Sequence, residues 1–151
     1  MGEPGTYEGG KAESADGTYS ATVLDNIREP RNAGSMANAD GHAMITGPCG
    51  DTMSVWLRVR DGLITDASFW TDGCGTTIAA GSMATELARG RKVAQALSTS
   101  QQEILDALEG LPEDRVHCAL LAANTLRAAV RDYLNHRNEP WKRAYRKGGL
   151  S

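Results

Sequence analysis

Five side chains in three short motifs could together bind a metal: Cys-Gly-Asp at 49–51, Gly-Cys-Gly at 73–75 and His-Cys at 117–118. Thiolates and imidazole are the ligands that zinc and iron–sulfur centres prefer, and a carboxylate adds a harder, weaker ligand. Four of these five groups would complete a tetrahedral site. The candidate ligands are Cys49, Asp51, Cys74, His117 and Cys118.

Two features of these motifs suit sulfur chemistry. Cys118 is predicted to lie near the start of a helix, where the positive end of the helix dipole lowers the pKa of a thiol. A thiolate there is ready either to bind metal or to attack a persulfide sulfur. Glycines beside the other ligands would leave room for inorganic sulfide: Gly47, Gly50, Gly73 and Gly75.

Other interpretations of the same residues stay open. A lone cysteine is more often a small buried hydrophobe than a ligand. A cysteine hydrolase would use Cys118 as nucleophile and His117 as base, but neighbours on a helix point about 100° apart. Only His42 and His136 remain as other histidine bases. A structural zinc module would use the same ligands without turnover, although such sites prefer Cys and His to a carboxylate such as Asp51.

A β-hairpin is predicted over Met53–Thr71, because apolar and polar residues alternate on both sides of Asp61-Gly62. A two-residue type I′ turn at that pair would set Leu57 opposite Asp66 and waste the apolar face. A three-residue loop, Arg60-Asp61-Gly62, keeps that face apolar, and the pattern therefore favours it. The predicted register pairs Val59 with Leu63, Leu57 with Thr65, Val55 with Ala67 and Met53 with Phe69.

The open end of this hairpin is predicted to bring two thiols together. Continued past the strands, the same register sets Asp51 opposite Thr71 and Cys49 opposite Gly73. Cys74 then lies one residue from a direct neighbour of Cys49.

Helical spacing and capping residues predict the elements around the hairpin. We expect a short helix over Tyr19–Arg28 and a further strand over Asp40–Thr46 beside the hairpin. Three more helices are predicted over Thr76–Arg89, Val93–Leu97 and Ser100–Glu109. The longest helix is predicted to begin at Pro112 and to reach about His136.

Composition limits the class of protein. The 151 residues are about one domain's length, and a formal net charge of -3 argues against a general nucleic-acid-binding surface. Three cysteines argue against a secreted disulfide framework and favour reduced thiols in the cytoplasm. We expect no membrane span, since no apolar run approaches the roughly 20 residues that a bilayer requires, and no signal peptide.

We expect one folded domain over residues 19–138, between a disordered N-terminal tail at 1–18 and a basic C-terminal tail at 139–151. The basic tail is interpreted as a solvated end, with docking to an acidic partner protein as the sharper alternative. It carries Lys142, Arg143, Arg146 and Lys147 beside Trp141 and Tyr145.

The three motifs, in this order, resemble those of the IscU/NifU-type iron–sulfur cluster assembly scaffolds. Each motif is weak alone, and together they are specific. The resemblance runs from about Tyr19 to Arg137. It includes Tyr19-Ser20 with Pro30-Arg31-Asn32-Ala33-Gly34, Ala67-x-Phe69-x-Thr71 and Ser82-Met83-Ala84-Thr85-Glu86.

The resemblance implies a fold and a site. The fold is α+β and SufE/NifU-like: a small, mainly antiparallel three-stranded sheet packed with helices, with a long C-terminal helix. By resemblance, Cys49, Cys74 and Cys118, with Asp51 or His117, hold a transient [2Fe-2S] cluster or a zinc ion in its place.

The resemblance also implies a scaffold rather than an enzyme. A cysteine desulfurase delivers persulfide sulfur to a scaffold thiolate, and Cys118 is the candidate first acceptor. An iron donor supplies iron, and the cluster passes to recipient apo-proteins. A permanent site would favour four thiolates, so Asp51 as a labile ligand suits release.

The chain departs from the family pattern at two places. Pro48 directly precedes Cys49, where the family often has a residue between them. The run Leu111-Pro112-Glu113-Asp114-Arg115 replaces Leu-Pro-Pro-Val-Lys, which argues against recognition by a dedicated Hsp70-type chaperone. His117 favours the scaffolds over a zinc-dependent sulfurtransferase branch. A zinc-binding structural or sulfur-acceptor module of the same fold remains the alternative, and the sequence leaves open whether the protein is a homo-oligomer.

Overall fold

The computed structural model describes residues 19–137, so the predicted tails at 1–18 and 139–151 lie outside the described residues. Every predicted helix and strand is present, with ends shifted by a few residues. A 3₁₀ turn, Glu113–Arg115, leads directly into the last helix. In chain order the elements are α1 (Ala21–Arg28), β1 (Gly41–Thr46), β2 (Thr52–Arg60), β3 (Leu63–Thr71), α2 (Gly75–Ala88), α3 (Val93–Leu97), α4 (Gln101–Ala107) and α5 (Val116–His136).

The three strands form one antiparallel sheet in the order β1-β2-β3, with β2 in the centre. The predicted α+β class, with its small sheet and long C-terminal helix, is confirmed. No helix between residues 19 and 137 has the length and apolar character needed to cross a membrane.

The turn between β2 and β3 is not the predicted three-residue loop. Arg60 pairs directly with Leu63, so only Asp61 and Gly62 lie in the turn. Both have positive φ angles, 55° and 78°, as a type I′ turn requires. The tight turn that the apolar pattern had disfavoured is therefore the one that forms.

A β-bulge just beyond the turn explains why the predicted register is wrong. Val59 pairs with Ile64 and Arg58 pairs with Asp66, which leaves Thr65 as an extra residue on β3. The extra residue at the bulge shifts the register of β3 by one position, as a longer loop would have done. The apolar side chains of the two strands therefore stay on the same face of the sheet despite the tight turn. Beyond it, Leu57 pairs with Ala67, Val55 with Phe69 and Met53 with Thr71.

The inner face of the sheet packs against α2 and α5, and small residues permit close contact. A Cβ added at Gly81 of α2 would lie 2.5 Å from the Phe69 ring, so the ring rests on the helix backbone. Gly41 of β1 approaches α5 equally closely, since a Cβ there would lie 2.5 Å from the carbonyl oxygen of Ala129. The fully buried apolar side chains of the sheet are Met53, Val55, Leu57 and Ile64.

Helix α1 holds the first turn of α2 in place. The Ser20 hydroxyl caps α1 by accepting from the Val23 N–H at 3.0 Å. Buried Ser82 of α2 donates to the Asn26 side chain of α1 at 2.5 Å. Ile27 lies against Gly75, the first residue of α2. Helix α2, which begins within the Gly-Cys-Gly motif at 73–75, is therefore packed against α1.

Candidate metal centre

The loop between β1 and β2 presents Cys49 to solvent. A tight turn forms the loop: the Gly50 N–H donates to the Gly47 carbonyl at 3.0 Å, and the Gly47 N–H donates to the Asp51 carbonyl at 2.8 Å. The pairing of β2 with β3 ends at Met53, opposite Thr71, so the predicted pairing of Cys49 with Gly73 is wrong. Cys49 lies instead in the connection between two neighbouring strands, and its thiol is free and exposed.

Cys74 is the N-cap residue of α2, and it is also free and exposed. Partial burial tends to raise the pKa of the Cys74 thiol, but hydrogen bonds oppose this. They come from the hydroxyls and backbone N–H groups of Thr76 and Thr77, in the first turn of the helix. The combined effect lowers the pKa of Cys74, because these donors stabilise the thiolate.

Cys118 is the third residue of α5 and is only 1% exposed. Burial raises the pKa of this thiol, and the Thr76 and Thr77 hydroxyls only partly oppose the rise. The charges of Cys74 and Asp51 raise it further. The predicted lowering by the helix dipole is therefore wrong, because the cost of desolvating a buried thiolate is larger.

Two adjacent threonine hydroxyls connect these groups. The Thr76 oxygen lies 3.3 Å from the Cys74 sulfur and 3.4 Å from the Cys118 sulfur. The Thr77 oxygen lies 3.4 Å from the Cys118 sulfur and donates to Asp51 Oδ2 at 2.8 Å. Two thiols and one carboxylate thus surround the first turn of α2.

Two residues at the start of α5 complete the surroundings. The ring nitrogen Nε2 of His117 lies 3.8 Å from the Cys118 sulfur, closer than helix geometry had suggested. A guanidinium nitrogen of Arg115, in the 3₁₀ turn, lies 4.0 Å from the Cys74 sulfur. The negative charge of Cys74 is the main cause of the raised pKa of Arg115. A cation therefore lies beside the exposed thiol.

The donor set suits a soft metal or an iron–sulfur group, but it is not closed. Three thiols, one carboxylate and one imidazole lie at the same end of the sheet, and thiolates are the ligands that such groups prefer. Within residues 19–137, no three His, Cys, Asp or Glu side chains are grouped tightly enough to hold a metal ion. The candidate ligands would therefore have to move closer together to hold a cluster or an ion.

Sequence reasoning had not identified Thr76, Thr77 or Arg115 as part of the site. The available signal was two threonines that follow the N-cap cysteine after a single glycine, where hydroxyls and N–H groups of the first helical turn face the cap. Arg115 had been considered only as part of a departure from a family motif. The contact between Thr77 and Asp51 joins residues 26 positions apart, and nothing in their spacing predicts it.

Comparison with known proteins gives consistent matches over the described region. Residues 18–140 match the family described as NifU-like N terminal domain. The chain is 43% identical over 116 residues to the iron–sulfur cluster assembly scaffold protein IscU 1 of Archaeoglobus fulgidus, covering 76% of each chain. It is 40% identical over 124 residues to the iron–sulfur cluster assembly scaffold protein IscU of Escherichia coli strain K12. That alignment covers 79% of this chain and 96% of the relative.

A solved structure agrees on the fold. The N-terminal part of a nitrogen-fixing NifU-like protein from Brucella abortus aligns with a TM-score of 0.63. The alignment covers 80% of this chain and 97% of that one. Because the two are 20% identical, the likeness shows the shared fold alone.

Proposed function

The chain belongs to the NifU-like N-terminal domain family, and on that premise we propose that it is a scaffold on which iron–sulfur clusters are assembled. It would build a transient [2Fe-2S] cluster and pass it to apo-proteins, with zinc able to occupy the same ligands. The cluster is cargo, so the protein acts as a carrier and catalyses no conventional reaction.

One observation supports this proposal above the others: the first turn of α2 gathers a carboxylate and two thiols of opposite character. Cys74 is exposed and its pKa is lowered, whereas Cys118 is buried and its pKa is raised. The Thr76 and Thr77 hydroxyls lie between them, and Thr77 also holds Asp51. A site with mixed ligands that are not already in a closed coordination shell suits transient binding of a cluster better than a permanent structural site.

The proposed ligands are the three cysteines, with Asp51 or His117 completing the coordination. Cys49 would move in from its exposed loop, and Cys74 is already at the surface. Cys118 would provide the innermost sulfur. Asp51 is the harder donor, and we propose that its oxygen is the ligand that dissociates when the cluster leaves.

The proposed sulfur delivery is a transfer of sulfane sulfur without net oxidation. The Cys118 thiolate attacks the terminal sulfur of a cysteine desulfurase persulfide. A new S–S bond forms on Cys118, the S–S bond on the desulfurase breaks, and the desulfurase thiolate leaves with the electron pair. Because Cys118 is 1% exposed, the start of α5 must open before this attack.

The proposed partners are a cysteine desulfurase, an iron donor and recipient apo-proteins. A nucleic-acid partner is not part of the proposal, since the net charge is -3. We place the assembly in the cytoplasm, where three free thiols remain reduced. Glu113 and Asp114 in the 3₁₀ turn are exposed acids in the segment that departs from the chaperone-binding pattern.

Anaerobic reconstitution tests the proposal. The full chain is incubated with ferrous iron, cysteine and a cysteine desulfurase, and visible absorption and circular dichroism follow cluster formation. Formation is expected in the parent protein and is expected to fail after substitution of Cys49, Cys74 or Cys118 by Ser. Asp51→Ala is expected to retain the cluster and to slow its transfer to an apo-ferredoxin.

Two outcomes would contradict these assignments. If only zinc binds and its removal unfolds the domain, the protein is a structural zinc module. If the persulfide, mapped by mass spectrometry after alkylation, lies on Cys74 and never on Cys118, the proposed acceptor is wrong. The hydrolase interpretation is disfavoured by the burial and raised pKa of Cys118.

A further inference from the structure

The side chain of Asp51 is held by a residue outside the candidate ligand set. Thr77 is fully buried, and its hydroxyl donates to Asp51 Oδ2 at 2.8 Å. Asp51 follows Gly50, whose φ of 95° places the loop in a conformation that suits glycine. The hydrogen bond ties this exposed loop to the rigid first turn of α2.

The backbone at Gly73 passes so close to this hydrogen bond that no side chain fits there. A Cβ added at Gly73 would lie 2.6 Å from Asp51 Oδ2, 2.7 Å from Thr77 Cβ and 2.8 Å from Thr77 Oγ1. Real Cβ atoms do not approach other atoms so closely, so any side chain there would separate the carboxylate from the hydroxyl. The absence of a side chain at Gly73 is therefore required for the contact, independently of any need for sulfide to approach.

The contact also sets the direction of the carboxylate. The Thr77 oxygen that holds Asp51 lies 3.4 Å from the Cys118 sulfur and 3.9 Å from the Cys74 sulfur. A single hydroxyl group, that of Thr77, therefore contacts the Asp51 carboxylate and both thiols. With Oδ2 engaged by Thr77, the second oxygen is left to bind a metal.

We propose that Thr77 is a positioning residue that presents the Asp51 carboxylate to the thiols and sets how firmly Asp51 holds a metal. The inference rests on the proposed function in one respect, that Asp51 is a ligand. Metal-binding carboxylates are commonly fixed by hydrogen bonds from residues that do not touch the metal, and loss of such a partner costs roughly 10–100-fold in metal affinity.

Zinc affinity of the full chain, measured by competition with a chromophoric chelator, tests the proposal. Thr77→Val keeps the shape of the buried side chain and removes the hydroxyl, and it is expected to weaken zinc binding roughly 10–100-fold. Thr77→Ser keeps the hydroxyl and should restore most of the affinity. Thr125→Val removes a buried hydroxyl of α5 that bonds only the Leu121 carbonyl in this structure, and zinc binding should not change.

A double-mutant cycle separates positioning from a structural role. In an Asp51→Ala background, Thr77→Val should cause no further loss of zinc affinity, because its target is gone. An equal loss in both backgrounds would overturn the inference, since it would mean that Thr77 acts through its contacts with the cysteine sulfurs or through packing, and not through Asp51. Thermal unfolding of the metal-free variants checks that each one folds.

Gly73→Ala perturbs the same contact by a different route. Its Cβ should separate Asp51 from Thr77, so zinc binding should weaken as in Thr77→Val, and the two changes together should weaken it no more than one alone. This variant keeps the test valid if Thr77→Val does not fold. Independent, additive losses would overturn the inference.

The two proposals can fail separately. If Asp51→Ala binds zinc as tightly as the parent, the inference about Thr77 fails because Asp51 is not a ligand. Cluster formation on the three cysteines could still succeed in the reconstitution assay, and the scaffold function would then stand without Asp51.

Discussion

Two helices of this protein each begin beside a cysteine, and the two thiols differ in almost every physical respect. Cys74 caps α2, lies in solvent and has a lowered pKa. Cys118 lies in the first turn of α5, is 1% exposed and has a raised pKa. The same two threonine hydroxyls contact both sulfurs. Proximity to a helix start therefore does not decide the direction in which the thiol pKa is shifted, because burial raises the pKa of Cys118 despite its place at a helix start.

The difference follows from where each helix begins. The N–H groups in the first turn of α2 are free to face the Cys74 cap, and they stabilise its thiolate. The 3₁₀ turn Glu113–Arg115 instead leads directly into α5, whose third residue, Cys118, is buried against the first turn of α2. For Cys118, the cost of desolvating the thiolate is larger than the stabilisation that the helix dipole provides.

The largest expected effect is on thiol alkylation in the metal-free native protein. Cys74 should react on the order of 100-fold faster than Cys118, because the buried thiol must wait for a local opening that costs a few kcal/mol. Peptide mapping after timed exposure to iodoacetamide measures both rates in one sample. In denaturant the two alkylation rates should converge. Equal rates in the native state would show that burial does not protect Cys118.

Substitution of the buried Cys118 should destabilise the fold more than substitution of the exposed Cys74. Cys118→Ala removes a buried sulfur from the core and is expected to lower the free energy of unfolding by about 1–2 kcal/mol. Cys74→Ala, at an exposed cap, should change it by about 0.5 kcal/mol or less. Chemical denaturation of the metal-free variants measures the difference. A larger loss at Cys74 would mean that its contacts with the threonines support the fold.

The pH dependence of thiolate formation should follow the same order. The pKa of Cys74 is lowered, so its thiolate appears first as pH rises, whereas the pKa of Cys118 is raised and its thiolate appears at higher pH. Ultraviolet thiolate absorbance of two metal-free single-cysteine variants, each retaining one of these residues, measures the two midpoints. Reversal of the order would show that the helix dipole outweighs burial after all.

The smallest expected effect concerns the cation beside Cys74. Arg115→Gln should slow alkylation of Cys74 about threefold at low salt and less at high salt, because an exposed charge is screened. Arg89→Gln, at the opposite end of α2, is the matched control and should leave the rate unchanged. A rate that does not respond to Arg115 at any salt concentration would show that the guanidinium does not stabilise the thiolate.

Much of the fold could be predicted from sequence because periodicity and capping are local signals. The helices predicted to begin at Tyr19 and Ser100 are present, with Ser20 and Ser100 as their N-caps. The hairpin register failed for a specific reason: unbroken alternation was assumed through Thr65, where a bulge lies. The structure buries both Ile64 and Ala67, three positions apart, which strict alternation does not allow.

The candidate site was only partly predictable. Residue types and motif order indicated the five ligand candidates, which the structure places at one end of the sheet. The depth of Cys118 was not predictable, because it depends on how the start of α5 packs against the first turn of α2, 41 and 42 positions earlier in the chain. The contact of Thr77 with Asp51 depends on the conformation of an exposed loop, and no local pattern encodes that conformation.

The close approach of α5 to β1 limits which part of the helix can move. Gly41 rests on the backbone of α5 at Ala129, and the His42 N–H donates to Asp132 at 3.0 Å one turn further on. Over its 21 residues the helix is roughly 30 Å long, and these attachments secure its C-terminal half. Fraying of the first turn would expose Cys118 and Ala119, which belong to the hydrophobic core, while the C-terminal half of the helix stayed docked on β1. Access to Cys118 therefore opens one end of the core and leaves the contact between α5 and β1 in place.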